Sequence, residues 1–256
     1  DHLIPETVVE HLNLHMDEGD IVGLVGESGS GKSMTALAVA GLLRRHDMKK
    51  TGQIVFQGKE LLSCPRKELR ALQGDEIGIV FQEPMTSLNP VYRIGWQVEE
   101  SLRIHRPAMG KDERRQHAME MLSAVELADP ERIYASYPHQ ISGGQRQRVM
   151  IAAAMICAPK LLIADEPTTA LDVTVQLQIV KLLMKLNRER KTAVLFISHD
   201  LSLVKRLCTR IVVMKDGRIV EQGSMQDIFY HPQEDYTQKL IAAIPRCVKK
   251  PTATNA

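Results

Sequence analysis

Apolar residues in this chain fall into short, nearly continuous runs separated by stretches with helical spacing. Residues 21–25 read Ile-Val-Gly-Leu-Val, and similar runs recur at 160–164, 193–197 and 210–214. Such runs predict strands buried on both faces. Residues 53–58 and 77–81 predict two more. Ahead of the first run, Val8-Val9 and Leu12-Asn13-Leu14 lead into a turn at Glu18-Gly19-Asp20. Helical patterns cover residues 33–43, 146–157 and 173–190.

From residue 84 to 158 helix signals dominate and strand runs are few. Within that block, residues 114–127 space Met119, Leu122, Val125 and Leu127 among charged residues, an amphipathic pattern. Strand–helix alternation interrupted by a helical block predicts an α/β fold with a mostly parallel core sheet and a helical insertion subdomain. The expected division is one domain with its core in residues 1–82 and 159–230. The helical subdomain then spans 83–158 and a C-terminal tail spans 231–256. Residues 248–256 are polar and expected to be disordered.

Composition changes this picture little. With 256 residues the chain can bury a substantial core, and 25% charged against 44% hydrophobic residues is the balance of a soluble globular protein. The net charge of +2, of mixed sign, gives no nucleic-acid footprint, and Arg44-Arg45 and Lys249-Lys250 read as solvated surface. Cys64, Cys157, Cys208 and Cys247 are far apart with no C-x-x-C, which predicts a reducing compartment and no metal or disulfide framework. The longest apolar run, residues 149–158, is too short to span a bilayer. The chain begins at Asp1 rather than Met, so its lack of a leader carries little weight.

The chemistry sits in a few short motifs. Gly26-Glu27-Ser28-Gly29-Ser30-Gly31-Lys32-Ser33 fits G-x-x-x-x-G-K-[ST] between a strand and a helix. Its glycines let backbone N–H groups curl around a phosphate, while Lys32 reaches the β/γ oxygens and Ser33 is placed to hold Mg²⁺. The strand 161–164 ends in Asp165, a carboxylate that can support Mg²⁺, and Glu166 follows where it can orient and deprotonate a water. His199 follows the strand 193–197, within reach of a developing phosphate charge. Gln82 follows the strand 77–81, where an amide can ligate Mg²⁺ or water. Ser142-Gly143-Gly144-Gln145 opens a helix, with glycines that permit close approach to a ligand at a positive dipole end.

Together, and in this order, these motifs resemble the ATP-binding subunits of ABC transporters over nearly the whole chain. The resemblance implies a P-loop NTPase fold with an antiparallel β region near the N-terminus. It makes residues 26–33 the Walker A loop, Gln82 the Q-loop residue and Ile141 to Gln145 the ABC signature. Asp165 and Glu166 become the Walker B pair, with Glu166 catalytic and His199 the switch histidine. Thr169-Ala170-Leu171-Asp172 becomes the D-loop, with Thr169 where serine is more usual and Ile141 where leucine is more usual. ATP and Mg²⁺ are the implied cofactors, with Ser33, Gln82 and Asp165 at the metal.

Gln82 to Pro90, together with His231-Pro232, Tyr236-Thr237 and Ala242-Ala243-Ile244-Pro245-Arg246, resembles the peptide/nickel importer branch. The implied partners are a second ABC ATPase subunit, identical or homologous, two transmembrane permease subunits and, indirectly, a substrate-binding protein. Two ATP molecules would sit head to tail, with Ser142 to Gln145 acting across the dimer. The implied location is the cytoplasmic face of the inner membrane. A rival within the superfamily is a soluble ABC-type ATPase of DNA repair or translation, disfavoured by a single P-loop and no sustained heptads. A regulatory nucleotide-binding module without turnover is a third class, opposed by Glu166 and His199.

Two features depart from the pattern. No aromatic residue precedes Phe56, where an adenine-stacking ring would be expected ahead of the Walker loop. Only Cys247 lies near the C-terminus, so no iron–sulfur cluster is expected. Met85 and Leu88 are apolar residues in an otherwise polar segment. They either pack onto their own subdomain or border a groove for a membrane partner.

Overall fold

The computed structural model describes residues 7–43, 48–82, 87–169 and 171–244. Arg44-Arg45, Met85, Ala170, Cys247 and the polar tail at 248–256 lie outside the described residues. Strands β1 (Ile21–Val25), β4 (Ile77–Val80), β5 (Leu161–Asp165), β6 (Ala193–Ile197), β7 (Arg210–Lys215) and β8 (Arg218–Ser224) form one sheet in the order β4-β5-β6-β1-β7-β8. Every pairing is parallel except β7 with β8. The mostly parallel core is therefore as the apolar runs predict, with an antiparallel edge.

Alternate residues of the strands feed two cores, one on each face. Val22, Leu24, Ile163, Leu195 and Ile197 pack towards helix α1 (Lys32–Val39) and the N-terminal segment. Ile21, Val25, Leu162, Val194 and Phe196 pack on the other face, beneath helices α8 (Val173–Arg190) and α9 (Leu201–Leu207) and the helical block. Each such fully buried aliphatic or aromatic side chain contributes about 1.5–3 kcal/mol. At Gly23, an added Cβ would lie 2.7 Å from Val204 Cγ1 and 2.9 Å from Cys208 Sγ. Glycine thus lets α9 settle directly on the central strand.

The reading at 53–58 as one strand is corrected. Val55–Phe56 (β2) and Lys59–Glu60 (β3) form an antiparallel hairpin, turned by Gln57 at φ 48 and Gly58 at φ 78. Two consecutive positive φ values make the tight turn that suits a two-residue hairpin. Helix α2 (Arg66–Leu72) follows it.

The helical block comprises α3 (Ile94–Val98), α4 (Glu100–His105), α5 (Lys111–Ala124), α6 (Pro130–Ala135) and α7 (Gly143–Met155). The inward stripe of α5 is Ala118, Met121 and Leu122, continued by Val125, whereas Met119 is only half-buried. The expected stripe was one position out at Met119, since a helical face takes residues at i, i+3, i+4 and i+7. Leu88 is 5% exposed and belongs to the core, so it packs onto its own protein. The described residues end with α10 (Met225–Tyr230) and α11 (Asp235–Ala242). Tyr236, Leu240 and Ile241 of α11 rest on the core, and Thr237 is buried.

Candidate functional site

Parallel strands carry their following loops to one edge of the sheet, and there the motif residues converge. The loop after β1 curls through Gly26 at φ 150, Gly29 at φ 85 and Gly31 at φ 97, a conformation open to glycine and strained for other residues. A Cβ on Gly26 would stand 2.2 Å from Met214 O, so the loop needs glycine there for space as well. Gly31 leads directly into α1, whose first-turn N–H groups point back at the loop.

Lys32 is 7% exposed and donates from Nζ to Gly26 O at 2.9 Å and Glu27 O at 2.7 Å. Burial pushes the Lys32 ammonium below its ordinary pKa, opposed by Glu166, Asp165 and Glu27. Across the loop Ser33 Oγ donates to Asp165 Oδ1 at 3.2 Å. Burial pushes the Asp165 carboxyl above its ordinary value, partly offset by that hydrogen bond. A hydroxyl and a buried carboxylate side by side are hard oxygen donors, and Mg²⁺ is typically held by one or two carboxylates plus substrate phosphates. The donor set at Ser33 and Asp165 fits that ion.

Glu166 follows β5 in a left-handed conformation at φ 46, with its N–H donating to Ile197 O at 2.9 Å. The bend turns the carboxylate out of the sheet to the loop edge. Its Oε2 receives Thr169 Oγ1 at 2.8 Å and Gln82 Nε2 at 3.4 Å, and lies 2.9 Å from His199 Nδ1. The sequence therefore brings Lys32, Ser33, Asp165, Glu166, His199 and Gln82 together. Gln82 faces Glu166 through its amide nitrogen, not the Ser33–Asp165 pair.

Residues 142–145 form hydrogen bonds of their own. Ser142 caps α7 by accepting from Gln145 N at 3.3 Å, and Gln145 Oε1 accepts from Ser142 N at 3.0 Å, a closed capping box. Asp172 likewise caps α8, accepting from Val175 N at 3.0 Å. The described hydrogen bonds of Ser142, Gly143, Gly144, Gln145 and Asp172 join none of them to residues 26–33. Tyr236 enters the sequence reading only through the branch resemblance, not as a site residue, and Thr169 only as a departure from serine. Tyr236 Oη accepts a hydrogen bond from Glu27 N at 3.1 Å.

A parallel sheet with a glycine-rich loop, its lysine and a strand-end acid defines a P-loop nucleoside triphosphatase. The family model described as ABC transporter matches residues 9–169. The oligopeptide transport ATP-binding protein of Salmonella typhimurium is 48% identical over 240 residues, covering 94% of this chain and 71% of that protein. The dipeptide transport ATP-binding protein of Escherichia coli is 45% identical over 245 residues, covering 96% and 75%. Among solved structures, a dimeric ATP-binding cassette in a post-hydrolysis state with ADP and Pi aligns with a TM-score of 0.76 and 33% identity. That alignment covers 88% of this chain and 94% of the other. This chain belongs to the ABC transporter family and is an ATP-hydrolysing cassette of it.

Proposed function

We infer that the protein is the motor subunit of a peptide importer. ATP binding and hydrolysis would drive uptake through two membrane permease subunits. The observation that carries the reading is the carboxylate of Glu166, held beside the Lys32 loop with one oxygen collecting Thr169, Gln82 and His199. In this reading the N–H groups of residues 28–33 cradle the β- and γ-phosphates, and Lys32 balances their charge. Ser33 and Asp165 would hold Mg²⁺, which when bound neutralises charge on the phosphate oxygens; Gln82, turned to Glu166, is not among its ligands.

Glu166 accepts a proton as water attacks the γ-phosphorus. The bond to the β–γ bridging oxygen breaks, leaving ADP and phosphate. His199 steadies the transferred phosphoryl charge. Ser142, Gly143, Gly144, Gln145 and Asp172 serve the site of a second ABC subunit. The dimeric form of the similar cassette supports that role.

Relatives named for oligopeptide and dipeptide transport favour peptides over nickel as cargo. Among the described residues no helix is long and apolar enough to cross a membrane. Attachment to the cytoplasmic face of the inner membrane would therefore run through the permease subunits, with a substrate-binding protein delivering cargo to them. The Glu166→Gln variant tests the reading. ATP binding should persist while turnover falls about 10²- to 10⁴-fold, the range for loss of a general base. Peptide uptake into vesicles carrying the partner subunits should stop. Near-normal turnover would remove Glu166 from this role, and uptake independent of this subunit would remove the importer assignment.

A further inference from the structure

Two contacts tie the phosphate loop to the C-terminal part of the chain, and neither belongs to the motif itself. Gly217 N, in the β7–β8 turn, donates to Ser30 O at 3.2 Å. Tyr236, from α11, accepts from Glu27 N at 3.1 Å. The second contact falls on the peptide between Gly26 and Glu27, whose carbonyl oxygen, Gly26 O, receives Lys32 Nζ at 2.9 Å. One peptide plane is thus held at both ends, by the phenol on its N–H and by the loop lysine on its C=O.

The phenol is itself held. Tyr236 is half-buried against the core, its neighbour Thr237 is 1% exposed, and the Lys215 ammonium lies 5.1 Å from the ring centroid. A half-buried ring under a cation offers a fixed hydroxyl, not a wandering one. Glycine at position 26 gives this plane no side chain to steady it. An external hydrogen bond is therefore the means of setting its angle.

We propose that Tyr236 is a positioning residue for nucleotide binding. Its hydroxyl fixes the Gly26–Glu27 peptide plane and through it the resting place of Lys32, so the C-terminal helix shapes the phosphate cradle. This rests on the assignment of residues 26–33 as the ATP site. Pre-setting the cradle removes an ordering cost from binding, whereas the chemistry at Glu166 lies elsewhere in the site.

Tyr236→Phe deletes only the acceptor oxygen and keeps the ring under Lys215. One lost hydrogen bond corresponds to about a two- to tenfold change in affinity. The dissociation constant for ATP and the KM should rise by that factor, with kcat within about twofold of wild type and an almost unchanged melting temperature. A purely structural role would lower the melting temperature without separating KM from kcat. Glu27→Pro removes the donor from the other side, and its effect should not add to that of Tyr236→Phe.

Unchanged ATP affinity in Tyr236→Phe overturns the proposal, as does full additivity of the two substitutions. If Tyr236→Phe does not fold, Tyr236→Leu replaces it: a raised KM with kcat near wild type supports the proposal and an unchanged ATP affinity overturns it. Wild-type protein that fails to bind ATP would instead overturn the site assignment beneath it.

Discussion

Gly143 offers a test in which stability and activity should part. Within the chain a Cβ at Gly143 would meet nothing closer than Leu171 Cδ2 at 3.7 Å, an ordinary van der Waals contact. Gly144 differs, since its Cβ would press on Val175 Cγ1 at 3.0 Å. Gly143 opens α7 in right-handed backbone, so alanine suits its conformation and adds helix propensity of up to about 1 kcal/mol. For a domain of this size that is a rise of about 2–4 °C in melting temperature at most.

Nothing in its own fold therefore requires glycine there. If the α7 N-terminus closes on nucleotide bound to a partner, the new methyl holds the backbone N–H groups away from the phosphate. Losing a preorganised donor of this kind costs about 10²- to 10³-fold in rate. Gly143→Ala should melt at or slightly above wild type, bind ATP normally at residues 26–33 and lose ATP-dependent dimerisation and phosphate release. Melting curves, nucleotide titration and size-exclusion chromatography with ATP read the three quantities separately. Turnover within twofold of wild type would refute a role for this helix start at the nucleotide.

Two further outcomes follow from the same site. Because burial raises the Asp165 carboxyl above its ordinary 3.8, the unfolded chain ionises first as pH rises, so the charge costs stability above the folded pKa. Asp165→Asn should melt above wild type at neutral pH without nucleotide, the gain fading as pH falls towards that ordinary value, while Mg²⁺-dependent hydrolysis is lost. Calorimetry across the pH range checks this, and a lower melting temperature at neutral pH would contradict it. A covalently linked dimer pairing a Lys32→Ala chain with a Ser142→Arg chain concentrates both lesions in one site. It should recover hydrolysis relative to dimers carrying the same lesion in both chains. A linked dimer no more active than those controls would rule out the shared arrangement.

Most of the catalytic edge was legible because its residues sit at strand ends, and strands buried on both faces announce themselves as apolar runs. Asp165, His199 and Gln82 each follow such a run. Strand β8 did not announce itself, since it lies at the sheet edge and its residues Arg218, Glu221 and Gln222 keep contact with solvent. The β2–β3 hairpin hid inside one apolar-looking stretch because its turn is Gln57-Gly58, of which only Gly58 is a turn residue. Tyr236 could not be placed at all. It meets Glu27 across 209 positions of sequence, and periodicity carries no information over that distance. Leu88 was left open between two faces, and only packing decides which face an isolated apolar residue takes.

The central position of β1 has a consequence for the order in which the protein can be made. Its two hydrogen-bonded neighbours, β6 and β7, begin at Ala193 and Arg210, so Val22 pairs with Leu195 and Arg210 from the far side of the sequence. A growing chain halted after the helical block would carry every residue of the phosphate loop and neither strand that holds it in place. Pairings that distant are paid for late in folding, after long loop closure. Nascent chains released at about residue 190 should therefore fail to retain ATP on a nucleotide resin, and chains extended past β7 should begin to do so. The cell is thus spared a half-built ATPase on the ribosome, because the phosphate loop is made long before the strands that hold it.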